Sequence, residues 1–173
     1  GQRHFGENYV QEFQGKRAGL PALPGAIFHM IGQLQSNKTT LASKIFDVVQ
    51  TVDNEKLARR LNDTKRGVDI FLEVKLSVEE SKSGLAEADI ATVKRYVEGC
   101  PYLQLRGLMG MPPWFDDPER TRPYFQRLRH LAEQYELTEI SMGMSRDFET
   151  AIEEGSTLVR LGTAIFGQRT YSP

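Results

Sequence analysis

The chain has 173 residues, 39% hydrophobic and 26% charged, with a net charge of −1 at pH 7. That length suits one domain with a sizeable core, and the near-neutral charge argues against nucleic acid or an anionic membrane as a partner. No apolar run approaches a membrane span, no signal-peptide pattern is seen, and the single Cys100 lacks both a disulfide partner and metal-ligand spacing. A cytoplasmic setting is therefore expected, with Cys100 as a structural thiol.

The chain starts at Gly1 without a methionine and runs straight into an apparent strand at Arg3 to Glu7, which is how an interior stretch of a longer protein reads. A modest amphipathic helix follows, with Tyr9, Val10, Phe13 and Gln14 on its face, and Gly15, Gly19, Pro21, Pro24 and Gly25 mark a loop. Ile27 to Ile31 is a near-continuous apolar run ended by Gly32, the pattern of a parallel strand buried on both faces. A polar loop over Gln33 to Lys38 leads to a short helix over Thr39 to Ile45. Phe46 to Val52 is the next strand, and Asp53 or Asn54 caps a helix that Gly67 ends. Asp69 to Leu76 is a strong strand, Ser77 to Gly84 a charged loop, Glu87 to Gly99 a helix and Leu103 to Met111 another strand.

Pro112 to Pro118 is too proline-rich for regular structure and forms a stiff aromatic loop. Glu119 to Tyr135 is the longest helix, with Tyr124, Phe125, Leu128, Leu131 and Ala132 at helical spacing. Its cluster of Arg120, Arg122, Arg127 and Arg129, balanced by Glu119, Glu133 and Glu136, reads as a solvated face. Glu139 to Met144 is a strand, Ser145 is placed to cap the following helix, and Gly155 closes it. Thr157 to Leu161 is the last strand, and Gly162-Thr163 opens the final apolar turn Ala164-Ile165-Phe166.

About seven strands alternate with helices, which means a parallel sheet covered by helices. An open doubly wound sheet and a closed barrel both satisfy that pattern, and the regular spacing favours the barrel. Two final strands that each lead into a helix N-terminus describe an anion cup, where main-chain amides and helix dipoles converge. A full (β/α)₈ barrel has eight strands and about 250 residues. The expected fold is accordingly an α/β (β/α)₈ TIM barrel in one domain, its first strand absent from this stretch.

Arg160 stands among Leu158, Val159 and Leu161 and needs an acceptor, since an unpaired buried charge is very costly. A core ion pair with Glu7 or Asp53 competes with a bound anion for that role. Ser145 is a helix cap or an anion ligand, and Asp147 and Glu149 weaken the second reading unless they turn away. His29 is a core histidine or a site residue, Asn8 a helix cap or a ligand contact, and Lys75 a snorkelling cation or part of the barrel mouth. The methionines of GLMGM and SMGMS read first as packing. Neither a nucleophile elbow nor a glycine-rich dinucleotide loop is present.

Taken together, FGENYVQE, HMIGQLQSNK, SKSG, RGLMGMPP and SMGMSRDFETAIEEGSTLVRLGTAIFG closely resemble the pyridoxal phosphate homeostasis proteins, whose fold is like the barrel domain of alanine racemase. The likeness runs from Gly1 to Tyr171. It implies a barrel that binds pyridoxal 5′-phosphate (PLP) and serves vitamin B6 and amino-acid pools, without an established turnover, as a monomer or weak dimer. By position, Ser145, Gly162 and Thr163 would hold the phosphate, and Arg160 would approach the ring nitrogen or the phosphate. Asn8, His29 and Met144 would line the rest of the cofactor site. An arginine beside the pyridine nitrogen keeps it unprotonated and weakens the ring as an electron sink, which suits binding more than carbanion chemistry. The family's Schiff-base lysine is expected on a strand upstream of Gly1. Lys75 and Phe28 stand where relatives commonly carry asparagine and tryptophan. The alternatives are a PLP-dependent racemase or decarboxylase, and a PLP-independent enzyme acting on a phosphorylated metabolite. The latter needs a strand-end carboxylate base, for which Glu7 is the sequence candidate.

Overall fold

The apolar runs become seven strands in a computed structural model that describes residues 1–77 and 83–168. They are β1 (His4–Glu7), β2 (Ile27–Met30), β3 (Val48–Val52), β4 (Val68–Val74), β5 (Leu103–Gly110), β6 (Glu139–Met144) and β7 (Leu158–Arg160). The helices are α1 (Val10–Gly19), α2 (Thr39–Ile45), α3 (Glu55–Asn62), α4 (Ile90–Glu98), α5 (Arg122–Gln134), α6 (Phe148–Glu153) and α7 (Thr163–Phe166). All strand pairs are parallel and follow chain order from β1 to β7. Parallel pairing in sequence order requires a crossover helix after each strand, and that is what the alternation supplies.

One side-chain contact fixes the curvature of this sheet. Ser141 on β6 donates to Gln50 on β3 at 2.6 Å, although three strand spacings in a flat sheet would separate them by about 14 Å. The sheet is therefore rolled into a barrel, as expected. Among the described residues β1 and β7 are not paired with one another, so the cylinder is nearly closed.

The inner face is layered. Ile27, Val48, Phe71, Met109 and Leu158 form an apolar cluster inside the barrel. Two residues further along four of those strands stand His29, Gln50, Glu73 and Arg160. Because side chains alternate with period 2, each of these lies on the same inner face, one layer nearer the C-terminal mouth. The larger core lies between sheet and helices, with Phe13, Leu61, Ile90, Phe125, Leu128 and Leu131 all at most 2% exposed.

Close backbone approach demands glycine at two places. A Cβ on Gly107 would meet the Glu139 carbonyl oxygen at 1.8 Å, and one on Gly32 would meet that of Asn8 at 2.2 Å. The second contact seats the β1–α1 turn against the end of β2.

Several local expectations are corrected. Gly15 lies inside α1, which continues to Gly19 and buries Val10 and Phe13 while Tyr9 stays exposed; the packing of that face outweighs the weak helix propensity of one glycine. Pro118 opens a 3₁₀ turn over Pro118–Thr121, capped by the Asp117 carboxylate, so α5 begins at Arg122 rather than Glu119. Asn54, not Asp53, caps α3, its side-chain oxygen accepting from the Leu57 amide at 2.8 Å. The basic cluster of α5 is not merely a solvated face. Arg122 pairs with Glu119, Glu153 and Glu154, Arg127 with Glu87, and Arg129 with Glu133 and Glu154, tying α5 to α6 and to the turn before α4. Cys100 is buried, as expected, and donates to the Tyr96 carbonyl. The loop expected over Ser77 to Gly84 lies partly outside the described residues, as do the last five residues of the chain.

Candidate functional site

A barrel collects ligand chemistry at the C-terminal ends of its strands. Here β6 ends at Met144, which is 39% exposed, and Ser145 follows it. Ser145 is not the N-cap of the next helix. That position belongs to Asp147, whose carboxylate folds back to accept from the Met144 amide at 2.7 Å. Thus freed, the Ser145 hydroxyl crosses to the end of β7 and accepts from the amides of Gly162 and Ala164, both at 3.1 Å. Ser145 and the first turn of α7 therefore form one cup, with an oxygen already held where main-chain N–H groups converge. The Thr163 amide and hydroxyl make no hydrogen bond among the described residues, and a Cβ on Gly162 would meet nothing within 4 Å. Asp147 is committed to its own turn and Glu149 is exposed, so neither carboxylate bonds into the cup.

Arg160, the last residue of β7, is turned into the barrel. Its Nη1 donates to Ser141 Oγ at 2.8 Å and its Nη2 to the Gly110 carbonyl at 3.1 Å. The sequence-based alternative of an ion pair with Glu7 or Asp53 is not realised: Glu7 is held by Lys16, and Asp53 accepts from Asn54. Desolvation pushes the guanidinium down to about 10, opposed by the fields of Asp147 and Glu73. It remains a cation at neutral pH, with N–H groups uncommitted beyond those two bonds.

His29 lies on the inner face of β2 and is 4% exposed. Its Nδ1 meets Gln50 Nε2 at 2.9 Å and its Nε2 meets His4 Nδ1 at 2.9 Å. Its partners are side chains, not the backbone partner of an ordinary core histidine. Burial, and secondarily the neighbouring His4, pushes its pKa down to about 4. Met144, Ser145, Gly162 and Thr163 thus gather at one rim, while His29 and Arg160 meet through Gln50 and Ser141. Asn8 stands apart, exposed at the end of β1, without a side-chain hydrogen bond to the others among the described residues. It does not cap α1 either, since Tyr9 holds that position. Lys75 follows the last residue of β4 and is half-buried. Phe28 points outward, stacked on Phe5 and tilted against Phe13 beneath the Arg17 guanidinium; its departure from the family pattern lies outside the barrel interior.

Gln50, Glu73, Ser141 and His4 escaped the sequence reading. Glu73 is 4% exposed, with no hydrogen bond to its carboxyl among the described residues, and burial, with the Asp53 charge adding, pushes it up to about 7. It, rather than Glu7, is the buried strand carboxylate of this barrel. The available signal was a polar residue two places after an apolar one within a strand otherwise buried on both faces, as in Val48–Gln50 and Phe71–Glu73. A hollow of about 460 Å³ between Arg17, Phe46, Asp47, Arg66 and Asp69 lies at the opposite, N-terminal end of the strands, away from these groups.

Residues 1–170 match the family described as "Alanine racemase, N-terminal domain". The chain is 40% identical to the pyridoxal phosphate homeostasis protein of Haemophilus influenzae, over 99% of this chain and 78% of that protein. It is 44% identical to the Pseudomonas aeruginosa protein of the same name, over 99% and 76%. Among solved structures, PipY of Synechococcus elongatus with PLP bound is similar at a TM-score of 0.89 and 38% identity, over 96% of this chain and 82% of that one. An alanine racemase of Clostridium difficile, 9% identical, shares the fold alone at a TM-score of 0.75. Barrel, rim and inner polar layer are thus those of a chain that belongs to the pyridoxal phosphate homeostasis protein family, within the wider family of alanine racemase N-terminal domains.

Proposed function

We propose that this protein binds PLP at the C-terminal mouth of the barrel and serves cytoplasmic PLP and amino-acid homeostasis as a binding protein rather than through turnover. The observation that carries this is the cup at the end of β6 and β7. Ser145 Oγ sits against the amides of Gly162 and Ala164, the Thr163 amide and hydroxyl are uncommitted beside it, and Arg160 is pinned inward behind. The donor set fits the cofactor. Ser145 supplies a hydroxyl whose hydrogen is free to donate outward, Thr163 an uncommitted hydroxyl and main-chain amide, and Gly162, whose own amide is taken by Ser145, leaves the open space a phosphate needs. Arg160 supplies a permanent cation for the pyridine nitrogen or a phosphate oxygen, with Met144 opposite it on β6 and His29 joined to it through Gln50 and Ser141. Asn8 contributes from the rim of β1. When bound, PLP supplies an electron-withdrawing ring and an amine-reactive aldehyde. The chain's own part is to grip an anion, to hold the ring without adding a proton to its nitrogen, and to keep His29 neutral. Relatives named for PLP homeostasis and the PLP-bound PipY structure support the reading. The protein acts as a monomer or weak dimer, and the lack of a nucleic-acid partner accords with the near-neutral charge.

The test is a PLP titration of the full-length protein followed by absorbance and fluorescence, alongside assays for racemisation and decarboxylation of amino acids. Saturable binding that inorganic phosphate competes away and that Ser145→Ala weakens, with no turnover, is expected. An absence of saturable binding overturns the proposal, and sustained racemisation replaces it with the racemase reading.

A further inference from the structure

The inner polar layer is one continuous chain of hydrogen bonds: Arg160 to Ser141, Ser141 to Gln50, Gln50 to His29 and His29 to His4, none longer than 2.9 Å. It joins β7, β6, β3, β2 and β1, and therefore spans the inside of the barrel. Its direction is fixed from one end. Arginine has donors only, so the Ser141 oxygen accepts from Arg160; the hydrogen of this fully buried hydroxyl then finds its acceptor among the described residues in Gln50 Oε1, and a Gln50 amide turned the other way would leave it unpaired at a cost. That sets the Gln50 amide with its NH₂ toward His29, whose Nδ1 then accepts. The remaining hydrogen of a neutral His29 lies on Nε2 and is donated to His4 Nδ1. A single permanent cation thereby dictates the tautomer of a histidine three links away.

The arrangement also explains why two neutral side chains occupy the centre of the barrel. Ser141 is fully buried and Gln50 is 2% exposed. Were the Ser141 hydrogen not drawn off by Gln50, it could rotate toward the guanidinium, where donor would face donor. We infer that Gln50 and Ser141 are positioning residues: they hold Arg160 at a fixed place on the inner wall and lock His29 as the Nε2–H tautomer. Ser141 and the Gly110 carbonyl occupy one N–H on each terminal nitrogen of Arg160. The other N–H groups are left for a ligand acceptor, in an orientation a long flexible side chain would not keep unaided.

The network itself is read without any ligand. In the full-length protein with ¹⁵N-labelled histidine, two-bond nitrogen–proton spectra report which ring nitrogen carries hydrogen. At pH 7 His29 is expected to show a protonated Nε2 and a bare Nδ1. In Ser141→Ala the Gln50 oxygen loses its donor and the amide is free to flip, so His29 should become a mixture of tautomers; Gln50→Leu should do the same. A protonated Nδ1 in the wild type overturns the inference, and that measurement depends on no variant folding. So does an unchanged Nε2–H tautomer in both variants.

The second arm rests on the PLP reading. Ser141→Ala and Gln50→Leu are expected to weaken PLP binding about tenfold, the effect of one hydrogen bond to a charged group. Equal affinity in wild type and variants overturns the positioning role. A wild type that binds no PLP sinks the cofactor reading instead, while the tautomer spectra still decide the network.

Discussion

Arg160 and Glu73 share the inside of the barrel without forming an ion pair. Arg160 is held by Ser141 and Gly110, and the Glu73 carboxyl has no hydrogen bond among the described residues, yet each shifts the other electrostatically toward its charged form. Burial opposes the charged form of both and is the larger influence in each case. A cation with spare donors and a carboxyl with spare acceptors, both on the inner face of the barrel, leave hydrogen-bonding capacity there that the described residues do not use.

Removing the cation should therefore be felt twice. Arg160→Ala is expected to weaken PLP binding by about ten- to a hundredfold, as a charge-assisted hydrogen bond of ~1.5–3 kcal/mol implies. It should also push Glu73 above about 7, because the Arg160 field now lowers it. Cofactor titration checks the first effect and a ¹³C carboxyl titration the second.

Glu73 makes stability fall as pH rises. Its carboxyl moves from 4.5 to about 7 on folding, so between those values the native state binds the extra proton and the unfolded state does not. The stability at issue is fully present below pH 4.5 and lost as pH passes 7. At about 1.4 kcal/mol per pKa unit, Glu73→Gln should stabilise the protein on the order of 3 kcal/mol at pH 8 and scarcely at all at pH 4. Urea unfolding at the two pH values measures it.

His29 has the opposite sign. Its pKa falls from 6.5 to about 4, so the unfolded state binds the extra proton over that window and stability is lost as pH drops through it. His29→Phe should flatten the acid limb of the stability profile. Over the range where the windows overlap, the two residues work against each other, and the double variant should be less pH-dependent than either single one. Thermal melts across pH 4 to 8 give the comparison.

Gly107→Ala should be severely destabilising, by more than about 3 kcal/mol, because its Cβ would fall 1.8 Å from the Glu139 carbonyl oxygen and backbone cannot yield as a flexible side chain does. Gly15→Ala inside α1, where a Cβ meets nothing within 4 Å, should be neutral or stabilising by up to about 1 kcal/mol. Equal unfolding midpoints for the two variants would contradict this account of β5 and β6.

Parallel pairing and the bounds of elements such as β6 were legible in the sequence, because period and breaker residues are local properties, whereas strand order was not, since the regular spacing favoured a barrel over an open sheet without excluding the latter. The rim cup was legible in part: Gly162-Thr163 after an arginine-bearing strand marked it, and Ser145 was placed in it. That Ser145 caps across to α7 rather than along its own chain was not, since Asp147 competes for the local role and prevails by bonding the Met144 amide. Gln50, Glu73 and Ser141 carry little meaning one at a time. A glutamine in a strand does not disclose that it will meet a serine 91 residues away. Curling the sheet brings them together, and only then does burial turn ordinary side chains into a directed hydrogen-bond chain and a carboxyl into a near-neutral acid. The local pattern of side chains determined the alternation of strands and helices, which an open sheet would satisfy as well; rolling that sheet into a nearly closed barrel decided which side chains face one another in its buried interior.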